Sequence, residues 1–310
     1  MMTARSRLLF GYNPPCALRG LETFDPRTFT QDLQTVLDIA APVFDSVWLG
    51  DHLMNGDRFR LEAWTMLTWI AARYPQPMLG TFVLAQSFRH PPLLAKMVAT
   101  LQFLSGGRYI FGYGAGWDEP EYTAYGYPYP SARVRIEQLD DAIRTIKALW
   151  TESPATHAGP HFNVQEAYCE PRPDPIPPLM LGGDGEKYML RVVAEHADWW
   201  LSLFRRPDIL QHKLDVLAAH CKTVGRDPSE IRKCVPIRVF LDRDRAAARN
   251  RAGKHLEGEH PAFAGDPSEL RDYVAQLEAL GFDKVLFLMA GFPETDDLKL
   301  LVDEVIPHFK

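Results

Sequence analysis

Eight short runs of β-branched, aromatic and aliphatic residues recur along this chain of 310 residues, each closed by Gly, Pro or polar residues. They stand at 8–12, 46–50, 78–84, 109–113, 178–182, 198–203, 234–240 and 284–289. Runs this uniformly apolar predict strands covered on both faces. Helical patterns fill the intervals, at 30–43, 63–73, 92–105, 133–150, 186–196, 207–224, 268–280 and 294–306. The clearest is 133–150, where Leu139, Ala142, Ile143, Ile146, Leu149 and Trp150 recur at three- and four-residue steps. Strands separated by helices pair in parallel, because a parallel crossover needs a connection long enough to hold a helix. The pattern therefore predicts an α/β fold, a (β/α)8 TIM barrel forming one domain over 1–310. An open doubly wound sheet is the alternative.

One interval is longer than the rest. Two Pro/Gly-rich stretches, 114–132 and 151–178, flank the helix at 133–150, and the second reads as a short hairpin followed by a proline-stiffened return. Insertions of this kind are expected at the C-terminal face of the barrel, where they shape its mouth. Much of the chain's complement of 25 prolines and 21 glycines falls there or directly after strand ends.

The remaining composition excludes several classes. With 46% hydrophobic and 24% charged residues the chain is an ordinary globular one, and a net charge of −6 offers no footprint for nucleic acid or an anionic membrane. No apolar stretch reaches the length of a membrane span, and the start MMTARSRLLFGYNPP lacks the core and cleavage site of a secretion signal. Cys16, Cys169, Cys221 and Cys234 are too far apart for a CxxC pair or a zinc cluster. A cytoplasmic protein is expected.

In such a barrel the chemistry belongs at the carboxyl ends of the strands. Those ends carry Gly11-Tyr12-Asn13, Gly50-Asp51-His52, Thr81-Phe82-Val83, Gly112 to Trp117 and Gly182-Gly183-Asp184-Gly185. Glycines 182, 183 and 185 before a helix starting near Glu186 suit either a phosphate cradle or a tight turn. The Gly112-x-Gly114-x-Gly116 series is not a dinucleotide fingerprint, because Trp117 stands where its third glycine belongs. Two glycine-rich loops on neighbouring strands fit one mononucleotide-like tail held between them. Asp51-His52 is a carboxylate and an imidazole at one strand end, suited to proton transfer or to steadying a cofactor ring, with simple packing as the other reading. His157 and His161 are separated by Gly159-Pro160 and make a poor ligand pair, so no metal site is expected. No GxSxG elbow is present, which argues against triad hydrolysis.

Taken in order, Ser46-Val-Trp-Leu-Gly-Asp-His52, Glu62-Ala-Trp64, Leu79-Gly-Thr-Phe-Val83, Phe88-Arg-His-Pro-Pro92, Leu104-Ser-Gly-Gly-Arg108, Gly112 to Trp117, Glu121-Tyr122, Arg133 to Trp150 and Pro178 to Gly183 form a series. It resembles the bacterial luciferase-like flavin-dependent oxidoreductases, especially the subgroup with coenzyme F420-dependent enzymes. The resemblance implies a barrel, usually a homodimer, binding reduced FMN or F420. Its ring would lie near Asp51, His52, Thr81, Phe82 and Val83, with a non-proline cis peptide at Phe82-Val83. Its phosphate would lie between Gly114, Ala115, Gly116, Trp117 and Gly182, Gly183, Asp184, Gly185. His52 and Asp51 would be catalytic, Trp117 would wall the pocket, and Tyr12 and Trp64 would line it for substrate.

The implied activity is monooxygenation with reduced FMN and O2, or F420-dependent hydride transfer, on a small organic substrate, served by a separate flavin or F420 reductase. A flavin-binding protein without turnover and a non-redox barrel lyase or isomerase are the alternatives. Loops 12–28, 53–62, 114–132 and 241–266 are expected to set the substrate. In the sugar-phosphate dehydrogenase branch a catalytic glutamate directly follows the glycine loop, where this chain has Trp117. That departure counts against a sugar-phosphate role.

Overall fold

Strands covered on both faces fit an open sheet or a closed one, and here they close into a ring. The computed structural model describes residues 7–16, 25–204 and 206–310, so residues 17–24 of the expected substrate loop 12–28 lie outside the described residues. The first half runs β1 (Leu9–Tyr12), α1 (Phe29–Ala40), β2 (Ser46–Leu49), α2 (Ala63–Arg73), β3 (Met78–Thr81), β4 (Leu84–Ala85), α3 (Pro91–Leu104), β5 (Tyr109–Gly114), α4 (Glu119–Ala124) and α5 (Ala132–Thr151). A hairpin follows, β6 (Ala155–Ala158) and β7 (Asn163–Ala167). Then come β8 (Leu179–Gly182), α6 (Met189–His196), β9 (Trp199–Leu201), α7 (Pro207–Val224), β10 (Arg232–Leu241), α8 (Arg245–Ala252), β11 (Phe263–Gly265), α9 (Pro267–Ala279), β12 (Lys284–Met289) and α10 (Asp296–Leu300).

Among the described residues the ring order is β1-β2-β3-β5-β8-β9-β10-β12 and back to β1, every pair parallel. Closure excludes the doubly wound sheet. Side chains alternate across the wall. Trp48 and Leu286 point into the barrel with Ile110, Met180 and Trp199, while Val47, Leu49, Val285 and Phe287 join the layer under the helices.

Helix boundaries follow local chemistry. Glu62 caps α2 by accepting from Trp64 N and Thr65 N, Pro207 opens α7 and a left-handed Gly225 ends it, and Asp266 with Glu269 forms a capping box on α9.

Four expectations need correction. The run 78–84 is interrupted: β3 stops at Thr81, the Phe82-Val83 peptide is cis as the resemblance implied, and pairing resumes in β4. The helix expected from Glu186 starts at Met189, because Glu186 to Tyr188 form a turn. The last helix is α-helical only to Leu300 and continues as a π-helical turn over Leu301–Val305. The expected hairpin is present, but it lies between the end of α5 and the start of β8 and lines no part of the cavity at the strand ends, so the 151–178 insertion does not shape that mouth. It is clasped to α5 by Asp141, which accepts from His161 N at 2.7 Å and Phe162 N at 2.8 Å and meets His157 Nε2 at 2.7 Å. The four cysteines are free and buried, and among the described residues no helix is long and apolar enough to cross a membrane.

Candidate active site

A cavity of about 350 Å³ opens at the carboxyl ends of the strands. Its lining gathers Asp51, His52, Phe82, Val83, Gly114 to Trp117 and Gly182 to Gly185 from four separate strand ends. Thr81, Tyr12 and Trp64 are not part of that lining. Thr81 is fully buried beneath it, its hydroxyl donating to Gly112 O at 2.9 Å and lying 3.0 Å from Tyr109 Oη. Tyr12 points outward, its ring 5.4 Å from Phe44, and Trp64 packs edge-on to Tyr109 at 5.7 Å. The expectation that Tyr12 and Trp64 face substrate is therefore corrected among the described residues: both belong to the layer between barrel and helices.

The floor is Val83. A Cβ on Gly114 would stand 2.6 Å from Val83 Cγ2, and one on Gly182 would stand 2.9 Å from Val83 Cγ1. Both positions must lack a side chain for Val83 to occupy the floor. Gly116 takes φ +74°, and a Cβ there would meet the Tyr122 hydroxyl at 1.7 Å, so only glycine lets the loop turn over that ring. Arg135, near the start of α5, holds this loop by donating to Gly116 O from Nε and to Pro130 O from Nη1. In the opposite loop the N–H of Gly183 donates to Leu201 O at 3.1 Å and is spent on the barrel.

Asp51 and His52 are adjacent, with different surroundings. Asp51 is buried, and both its oxygens are occupied: Oδ2 accepts from Ala85 N at 2.9 Å and Arg89 Nη1 at 2.8 Å, Oδ1 from Arg89 Nη2 at 3.1 Å. Arg89 also reaches the capping carboxylate of Glu62. Burial alone would lower the Arg89 guanidinium, but Asp51 and Glu62 together raise it above its ordinary value.

His52 projects into the cavity rim with its side chain 25% exposed, and its Nδ1 lies 3.0 Å from Glu121 Oε2. Glu121 is 1% exposed, and its Oε1 accepts from Leu53 N and, at 3.0 Å, from Met54 N. Burial would raise the Glu121 carboxyl; the bonds from His52, Met54 and Leu53 outweigh it and hold the group below its ordinary range. The Trp117 indole stands edge-on to His52 at 5.5 Å between centroids and is 71% exposed. His52, Asp118 and Glu121 bring ligand-type atoms within 4.8 Å of one another, with His52 and Glu121 already bound to each other.

The family model for luciferase-like monooxygenases matches residues 31–264. This chain belongs to that family. Within it, an F420-dependent glucose-6-phosphate dehydrogenase of Kineococcus radiotolerans is 30% identical over 236 residues, 73% of this chain and 69% of the relative. Another, from Microbacterium testaceum, is 26% identical over 302 residues, 86% of this chain and 89% of the relative. Among solved structures, an F420-dependent secondary alcohol dehydrogenase in complex with an F420-acetone adduct superposes with a TM-score of 0.83 at 19% identity, covering 98% of this chain and 100% of that one. EDTA monooxygenase from Chelativorans sp. BNC1 superposes with a TM-score of 0.80 at 15% identity, covering 98% and 93%. At these identities the two superpositions speak to the fold alone.

For this luciferase-like chain, sequence reasoning found the two glycine loops and His52. It did not find Glu121 as His52's partner or Arg89 as that of Asp51. The available signal was the glutamate four residues past Trp117 in the glycine-loop stretch, an acidic residue beside an aromatic one on a short helix.

Proposed function

We propose that the protein is an F420-dependent oxidoreductase that interconverts a small neutral alcohol and its carbonyl compound. The observation that carries this reading is His52, an imidazole at the cavity rim backed by a buried carboxylate, beside a floor from which side chains are excluded at Gly114 and Gly182. A flat ring fits over Val83 with its tail toward the 114–117 and 182–185 loops, and the relatives named for F420 support that cofactor. When bound, F420 supplies a two-electron hydride acceptor or donor. The protein's part is to exchange the accompanying proton at His52 and to exclude water with Phe82, Val83 and Trp117. Asp51, saturated by Arg89 and Ala85, keeps the 51–52 backbone in place.

Charge argues for a neutral substrate. Among the described residues the cavity lining beside His52 carries Asp118 and Glu121, while Asp51 is neutralised by Arg89 and Arg135 already serves Gly116 and Pro130. A phosphate on the substrate, next to His52, would face those two carboxylates, whereas the cofactor's tail is directed to the backbone of the two glycine loops. Reduced FMN with O2 is the second reading, favoured by the monooxygenase description of the family model.

Parallel titrations with F420, FMN and FMNH2, followed by anaerobic turnover of secondary alcohols and of glucose 6-phosphate, test the proposal. Selective F420 binding with oxygen-independent alcohol oxidation is the expected result. O2-dependent consumption of FMNH2 would establish the monooxygenase reading instead, and turnover restricted to the sugar phosphate would overturn the neutral-substrate assignment.

A further inference from the structure

We infer that Glu121 is the positioning residue that fixes the tautomer of His52, so that Nδ1 carries the proton toward Glu121 and Nε2 is the basic nitrogen available to substrate. The inference rests on the reading that His52 exchanges the substrate's proton, and it adds the group that makes this exchange directional.

The hydrogen-bond inventory of one carboxylate carries the argument. Oε1 receives two backbone donors, Leu53 N and Met54 N, which have no alternative role: an N–H can only donate. Oε2 is left for Nδ1 of His52 at 3.0 Å. An ionised carboxylate only accepts, so Nδ1 must be the protonated nitrogen of the neutral ring. Nε2 makes no hydrogen bond among the described residues and keeps its lone pair. The same carboxylate anchors the backbone that follows His52, so ring and main chain are held by one group.

The reaction then balances in protons. In the oxidation direction the O–H bond of the alcohol would break and its proton would pass to Nε2 as the carbonyl forms, with bound F420 supplying the acceptor for the carbinol hydride. The ring becomes an imidazolium whose new charge faces Glu121 across an existing hydrogen bond. The other charged groups around the ring do not replace Glu121. Asp51, on the same loop, is taken by Arg89, and Asp118, in the turn before α4, has ligand-type atoms within 4.8 Å of the pair and no hydrogen bond to His52. From the helix that follows, Arg135 is bound to Gly116 and Pro130.

Glu121→Gln is a sharp test because the two backbone donors dictate how its amide sits. Its oxygen must take the Leu53 and Met54 N–H groups, which turns the NH2 toward Nδ1. Nδ1 then has to accept, and the proton moves to Nε2. The shape is unchanged and the tautomer is reversed. Nitrogen NMR of protein labelled in the histidine ring, recorded without cofactor at a pH where His52 is neutral, reads this directly, with His52→Ala assigning the signal.

The expected result is an Nδ1–H ring in the wild type and an Nε2–H ring in Glu121→Gln. At the same time kcat should fall about 100-fold, with the fold retained at a modestly lower melting temperature and cofactor affinity within about twofold. An Nε2–H ring in the wild type overturns the inference whatever the variant does. So does a reversed tautomer with unimpaired kcat, or a lost kcat with the tautomer unchanged. Failure of F420 to bind would sink the proposed function while leaving the tautomer result standing, so the two failures are told apart.

Discussion

Val83 occupies the space that a side chain on either Gly114 or Gly182 would need, at 2.6 Å from a Cβ on the first and 2.9 Å from a Cβ on the second. Two strand ends thus converge on one β-branched residue, which has little rotamer freedom with which to yield. Gly114→Ala should push Val83 into the cavity and reduce cofactor affinity by at least about tenfold, with a stability loss of about 1–3 kcal/mol from overpacking. Fluorescence titration and urea unfolding read the two effects. Unchanged affinity would mean that the floor is not part of the ring site.

Asp51 and Arg89 form a two-point pair in which the aspartate side chain is 0% and the arginine side chain 10% exposed. Removing one partner of a buried pair leaves the other charge uncompensated, typically at about 3–5 kcal/mol. Glu62 still faces Arg89 and softens the loss. Asp51→Ala is therefore expected to destabilise the protein by about 3 kcal/mol, measured by urea unfolding. Lost turnover in a protein of unchanged stability would instead return Asp51 to the catalytic machinery.

The fold was legible because strands covered on both faces are marked by composition, and 63–73, 207–224 and 284–289 coincide with α2, α7 and β12. That same uniformity hid which way each side chain faces. Tyr12 and Gly11 are equally compatible with an apolar run, and only the closed ring turns Tyr12 outward. The glycine loops were legible because each is continuous in sequence. The partnerships were not: Glu121 meets His52 across 69 residues and Arg89 meets Asp51 across 38, distances that only the closed barrel brings together. β11 is three residues long and bears no periodic signature at that length.

At Trp117 an effect on the cavity can be told apart from an effect on stability. Its indole is 71% exposed and lies beside His52, so truncation removes little packing. Trp117→Ala should change the unfolding free energy by no more than an ordinary surface substitution does, about 0.5 kcal/mol. The apparent KM for an apolar alcohol should rise about tenfold, the loss of one aromatic contact. Equal effects on KM and on cofactor affinity would place the indole against the cofactor rather than the substrate.

Lys284 gives the fold a pH dependence of its own. It enters the barrel interior 2% exposed, donates from Nζ to Ser46 Oγ at 3.0 Å, and lies 5.1 Å from the ring centroids of both Trp48 and Trp199. Burial pushes its ammonium down to about 8, with Cys234 and Asp45 opposing and Arg232 reinforcing the shift. The unfolded chain keeps the ordinary value near 10.4. Between these values the unfolded state binds more protons, so this contribution raises stability as pH rises from about 8 to about 10.4, and below about 8 it is a constant penalty. The full span is about 3 kcal/mol. Lys284→Met removes the titration together with the bond to Ser46 and the two cation–π contacts, which gives a constant offset. Urea unfolding of both proteins from pH 7 to pH 10.5 should show the wild type gaining about 3 kcal/mol on the variant across that window. A difference that stays flat would mean that the amine titrates inside the barrel as it does in water.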